Sequence, residues 1–286
     1  MDYGCSAEQS FTKYVESMFE CVQKGAESYP GFFSAHSISI ANSKKEKAKS
    51  TMENCFKHMK KGLVEVLQAV FETLFDIIYL VSVITLGFIM IHQSKGRRQY
   101  FLYGLMAVIL GCGDAFHLIP RAIALCTTGL DNFTVSLGVG KMITSVTMTL
   151  FYVLLYYVWR ARYQAEDKKE LTITVWGLAF LRIVLCLMPQ NAWTSIQAPI
   201  SWGIYRNIPF TILGVVIVIL FYRSARAKHD KPFRFLWLAV VISFACYIPV
   251  VLFADTVPPV GMLMIPKTCA YVWVVLIGYK AMKRSN

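Results

Sequence analysis

Charge is scarce in this chain: 16% of its 286 residues are Asp, Glu, Lys or Arg, against 56% hydrophobic and 14% aromatic. Histidine is scarcer still. Of five, only His117 lies deep in an apolar run, too few for the several histidines and carboxylate of a zinc-dependent membrane hydrolase. The eight cysteines form no CxxC pair, so neither a metal centre nor a cofactor is expected. Cys112, Cys186, Cys246 and Cys269 fall in apolar segments, where cysteine acts as a small hydrophobe. Cys5, Cys21 and Cys55 have disulfide pairing open to them if the N-terminal region is extracellular. The first 30 residues lack the apolar stretch of ~7–15 residues that marks a cleaved leader, so targeting falls to the first membrane helix. No repeat relates the two halves, which weighs against an inverted-repeat transporter.

What the chain has is apolar length. Seven runs approach or exceed the ~20 residues that cross a bilayer: roughly 66–91, 100–124, 137–159, 171–189, 205–223, 233–254 and 259–280. The expected fold is all-α, a polytopic bundle of about seven transmembrane helices in residues 63–286. Residues 1–62 form a polar extension with amphipathic helices. In it, Phe11, Tyr14, Val15, Met18, Phe19 and Val22 recur at helical spacing. The segment SKKEKAKSTMENCFKHMKK then carries seven lysines and two glutamates, and reads as a basic helix running into the first span, or as a solvated linker.

The net charge of +12 sits mostly in short connections, the pattern of loops facing anionic lipid rather than nucleic acid. Lys95, Arg97 and Arg98 follow span one. Arg160, Arg162, Lys168 and Lys169 follow span three. Arg223, Arg226, Lys228, Lys231 and Arg234 follow span five, and Lys280, Lys283 and Arg284 close the chain. The alternate connections LCTTGLDNFTVS, NAWTSIQAPISWGI and ADTVPPVG hold neither Lys nor Arg. A plasma-membrane protein with its N-terminus outside and C-terminus cytoplasmic is expected. The seven-lysine run disagrees, but the loops alternate consistently.

At ~1.5 Å per helical residue, the intramembrane charges gather in the outer half. The acids are Glu72, Asp76, Asp114 and Asp255; the bases are Arg121, Lys141, Arg182, Arg206 and Lys267. One charge at the bilayer centre costs ~2.5–3.5 kcal/mol on insertion scales, so such a set faces inward, paired or wetted. Two readings follow: salt bridges between helices, or an outward-facing polar chamber. In the chamber, Arg121, Arg182 and Lys267 clamp the anionic group of a small molecule or lipid headgroup, and Asp114 orients His117. Arg206 either joins the chamber or snorkels.

The stretches GDAFHLIPRAIALCTTGLDNFT, ITSVTMTLFYVLLYYVWR, APISWGIYRNIPF and GMLMIPKTCAYVWVV resemble an uncharacterised family of bacterial multi-pass membrane proteins over residues 66–286. The resemblance implies a seven-helix bundle and no chemistry. Gly111-Cys112-Gly113-Asp114 is also similar to the GxGD element of intramembrane aspartyl proteases, but the Tyr-Asp and Pro-Ala-Leu elements are missing. Lys267 in a seventh helix resembles a retinal-protein lysine, with Asp114 or Asp76 as counter-ion, and Cys246-Tyr247-Ile248-Pro249 the proline bend of heptahelical receptors. Span three nevertheless ends in YYVWR, and span seven lacks NPxxY. A sensor using the basic loop YRSARAKHDKPFR, a transporter, and a metal-free lipid-modifying enzyme using His117 as base remain alternatives to the binding chamber.

Overall fold

The computed structural model describes residues 35–285, apart from 128, 166, 196–197 and 255. The amphipathic segment expected at 11–22, Cys5, Cys21 and Asp255 lie outside that set. Seven helices account for the described chain: α1 Ala35–His92, α2 Arg98–Cys126, α3 Thr134–Tyr163, α4 Lys169–Leu187, α5 Ile200–Ala227, α6 Leu236–Phe253 and α7 Met264–Ser285. Short 3₁₀ turns precede α3 at Leu130–Phe133, follow α4 at Pro189–Asn191, and precede α7 at Pro258–Leu263. All seven are long and apolar enough to cross a membrane. This is an integral membrane protein of the all-α class, and its helix ends fall within five residues of the sequence-based bounds, with one exception.

The exception is α1, which starts 31 residues earlier than the first apolar run. Its 58 residues are far more than the ~20 that cross a bilayer. Nothing between the lysine run and the apolar run breaks the helix: no proline or adjacent glycine pair intervenes. The chain divides into two compact units at Leu67–Gln68. In the first unit, the described side chains are nearly all exposed, and Lys60 lies over the Phe56 ring at 4.4 Å. In the second, α3 is central, packing against α2, α4 and α5, while α7 closes onto α2 and α6. Phe151 and Tyr152 of α3 carry the middle of the core, edge-on to Tyr271 of α7 and Phe210 of α5.

Without a hydrophobic force between helices in lipid, close approach depends on small residues. Gly87 of α1 and Gly104 of α2 put the two backbones in contact, and Gly113 of α2 seats Thr147 of α3. Gly140 of α3 lies on the Phe116 carbonyl of α2. That carbonyl is four residues before Pro120, which has no N–H to bond it. Pro209 in α5 and Pro249 in α6 leave similar gaps. All three prolines fall in the half of their helix remote from the basic loops.

Those loops share one end of the bundle. Arg97, after α1, donates to the Ser285 carbonyl at 3.0 Å, and the Tyr100 hydroxyl lies 2.9 Å from that of Ser285. Asp230, between α5 and α6, accepts two hydrogen bonds from Arg162 at 2.7 and 2.8 Å and one from the Tyr163 hydroxyl at 2.9 Å. Burial alone would raise the Asp230 carboxyl, but the Arg162 and Tyr163 hydrogen bonds and the Arg162 charge outweigh it and hold it below the usual carboxylate range.

Two predictions arise here. A carboxyl held low in the folded state stabilises above its unfolded value of ~3.9 and loses that contribution as pH falls through the folded value. The D230N variant therefore melts several degrees below wild type at pH 7, and the gap narrows below about pH 4, as read by scanning fluorimetry. Substitution G138A, where a Cβ would run into the Trp193 carbonyl, sharply lowers folded yield, while G177A, where a Cβ meets nothing, leaves it unchanged. Size-exclusion recovery measures both.

Candidate functional site

Helix α1 presents Glu72, Asp76 and Tyr79 toward α2, where Asp114, His117 and Arg121 recur at helical spacing. The sequence placed those three together on one face, but their partners come from the neighbouring helix. Arg121 forms an ion pair with Glu72 through its Nε, so its charge is already engaged. Asp114 accepts a 2.6 Å hydrogen bond from the Tyr79 hydroxyl. It does not orient His117, whose buried Nδ1 lacks a hydrogen-bond partner and whose ring lies against the Leu137 backbone. Asp76 is buried within electrostatic reach of Glu72, Arg121 and Asp114. Lys141 is exposed on α3, within the same reach of His117.

Arg206 is fixed by the end of α4. A helix terminus leaves its last carbonyls without intrahelical partners. Asn191 donates to the Leu185 and Met188 carbonyls at 2.6 and 2.9 Å, and the Trp193 indole donates to that of Cys186 at 2.8 Å. Arg206 then donates to the Asn191 side-chain oxygen at 2.7 Å and lies over the Trp193 ring at 4.2 Å. A cation at the C-terminal end of a helix also opposes its dipole. Its role is thus visible as local structure: it braces the α4–α5 connection.

Arg182 stands apart. It is 2% exposed, its guanidinium lies 3.3 Å from the centre of the Phe210 ring, and no carboxylate pairs with it among the described residues. Its Nε and Nη1 make no hydrogen bond. Around it lie Tyr247, Tyr271, Cys186 and the second cation, Arg206. Lys267, one turn before Tyr271 on α7, sits 4.8 Å from the Tyr247 ring and 5.5 Å from the Tyr271 ring, within electrostatic reach of Asp114. The Tyr152 and Ser243 hydroxyls gather about that of Tyr271, and those of Tyr152 and Ser243 make no hydrogen bond of ordinary geometry. The Tyr247 hydroxyl donates to the Asn207 side-chain oxygen at 3.0 Å.

Arg182 and Lys267 therefore share Tyr247 and Tyr271 as neighbours, with Asp114 in electrostatic reach of Lys267, while Arg121, Lys141 and Arg206 face other partners or the surface. Sequence reasoning missed the tyrosines. Tyr79 is one turn from Asp76 and Tyr271 one turn from Lys267, so searching for hydroxyls at i+3 and i+4 from each buried charge would have found both. Asp114, Arg182 and Lys267 line none of the four best-formed clefts among the described residues, of about 270 to 540 Å³. No group of three or more metal-ligating side chains occurs among the described residues.

The ion pair between α1 and α2 is open to a direct check. E72Q and R121Q each lower the melting temperature by a few degrees, and the charge-swapped E72R/R121E double variant recovers at least half of that loss. Comparison of the chain with known proteins finds no matching family model, no matching curated protein and no matching solved structure.

Proposed function

We propose that this membrane protein binds the acidic group of a small molecule or lipid headgroup in the half of the bundle remote from its basic loops. Arg182 carries the proposal. An arginine this deeply buried, with no counter-anion among the described residues, bears a desolvation cost of several kcal/mol, and a neighbouring arginine adds repulsion. A carboxylate or phosphate beside it would accept from the unpaired Nε and Nη1 in the two-pronged geometry that guanidinium favours. The Tyr152 and Ser243 hydroxyls offer two further donors, Phe210 and Tyr247 offer walls, and Lys267 supplies a second positive charge. Asp114, held by Tyr79, balances Lys267.

The distribution of Lys and Arg supports a cytoplasmic position for the end carrying the basic loops. The site then lies toward the exoplasmic side of the plasma membrane.

The test uses full-length protein in a zwitterionic detergent, with dihexanoyl phosphatidate and hexanoate as probes and dihexanoyl phosphatidylcholine and hexanol as neutral controls. A ligand at about a hundred times its dissociation constant stabilises by ~2.7 kcal/mol. An acidic probe therefore raises the wild-type melting temperature by several degrees, neutral controls do not, and R182Q loses the response. Without probe, R182Q melts no lower than wild type, because a bare buried charge has gone. If neither acidic probe acts, or if the response survives R182Q, the assignment is wrong.

A further inference from the structure

At the opposite end of the bundle lies a cleft of about 460 Å³ where α5 ends and α6 begins. Its lining includes Arg226, His229, Lys231 and Arg234, with the aromatic rings of Tyr222 and Trp237. We infer that this cleft binds the phosphate of an anionic membrane lipid.

Charge accounting carries the inference. One carboxylate, Asp230, belongs to the lining, and it is already engaged by the paired hydrogen bonds of Arg162 and that of Tyr163. Its charge is spent on a cation outside the cleft. Arg226 donates only to the Tyr222 hydroxyl, at 2.8 Å, and Arg234 lies over the Phe235 ring at 4.8 Å. No acid among the described residues pairs with Arg226, Lys231 or Arg234. Three cations thus face one opening with no acid among the described residues paired to them. The C-terminus of α5 and the N-terminus of α6 bring opposite helix dipoles to the cleft, so its sign is set by these side chains.

The choice of a lipid over a free ion follows from position. The cleft sits where two apolar helices meet their connecting loop, and its apolar lining is extended by an edge-to-face pair, Tyr222 and Trp237, at 5.2 Å. Tyr and Trp gather at the headgroup level of a bilayer, and basic side chains there attract anionic lipid. Arg182 lies ~20 Å along α4 from its basic-loop end at Lys169, so the two sites are separate.

The experiment measures binding to full-length protein in zwitterionic detergent, with dihexanoyl phosphatidate, dihexanoyl phosphatidylcholine and inorganic phosphate as probes. It is run in the R182Q background, so that failure of the Arg182 site leaves the result unaffected. Phosphatidate binds saturably and at least tenfold tighter than phosphatidylcholine. The R226Q/K231Q/R234Q variant loses at least tenfold, the charge-conserving R226K/K231R/R234K variant keeps most of the affinity, and raising salt weakens it. Inorganic phosphate competing as strongly as phosphatidate would overturn the lipid as occupant. Equal binding of the two lipids, or undiminished binding by the glutamine variant, would overturn the site.

Discussion

A charge inside a bilayer must find a partner, and the arrangement of the half of this bundle remote from its basic loops follows from how each one does so. Glu72 meets Arg121 across α1 and α2, and Asp114 meets a phenol from the same neighbour. Arg206 is absorbed into the end of α4 through Asn191 and Trp193. Lys267 and Arg182 have aromatic faces instead. A cation over a ring gains ~0.5–2 kcal/mol, less than the several kcal/mol that desolvating a guanidinium costs. The shortfall is largest at Arg182, and it is why the ligand reading centres there.

The backbone makes these pairings attainable. Side chains as short as Asp and Tyr join across helices only where the helices run close, and glycines at 87, 104, 113 and 140 remove the Cβ atoms that would hold them apart. Close packing and charge pairing are therefore one design. The glycine contacts between α1 and α2 bring Tyr79 within reach of Asp114, and those between α2 and α3 hold that helix in place.

The fold was largely legible in the sequence because run length and loop charge each carry a physical rule that acts locally. Seven apolar runs gave seven helices. The start of the first follows one of the two readings the sequence left open: the basic segment runs into the apolar one as a single helix, because no residue interrupts the hydrogen-bond ladder. The candidate site was half legible. Depth along a helix comes from counting residues, so Asp114, Arg182 and Lys267 were found as intramembrane charges. Rotation of one helix against the next does not come from counting, so the pairing of Arg121 with Glu72 and the tyrosine wall at 247 and 271 were not. Arg206 illustrates the limit: the sequence offered a chamber or an interface, and its place is a helix end.

The three prolines inside α2, α5 and α6 have a consequence for motion. Each interrupts the ladder of backbone bonds in the remote half of its helix, so that half bends at lower cost than the continuous segments leading to the basic loops. The proline-bearing end is therefore the one at which bending these helices costs least. There the Phe116 carbonyl, deprived of its helical partner by Pro120 and covered by Gly140, joins two helices by a contact weaker than a backbone hydrogen bond, so their separation at that point costs little.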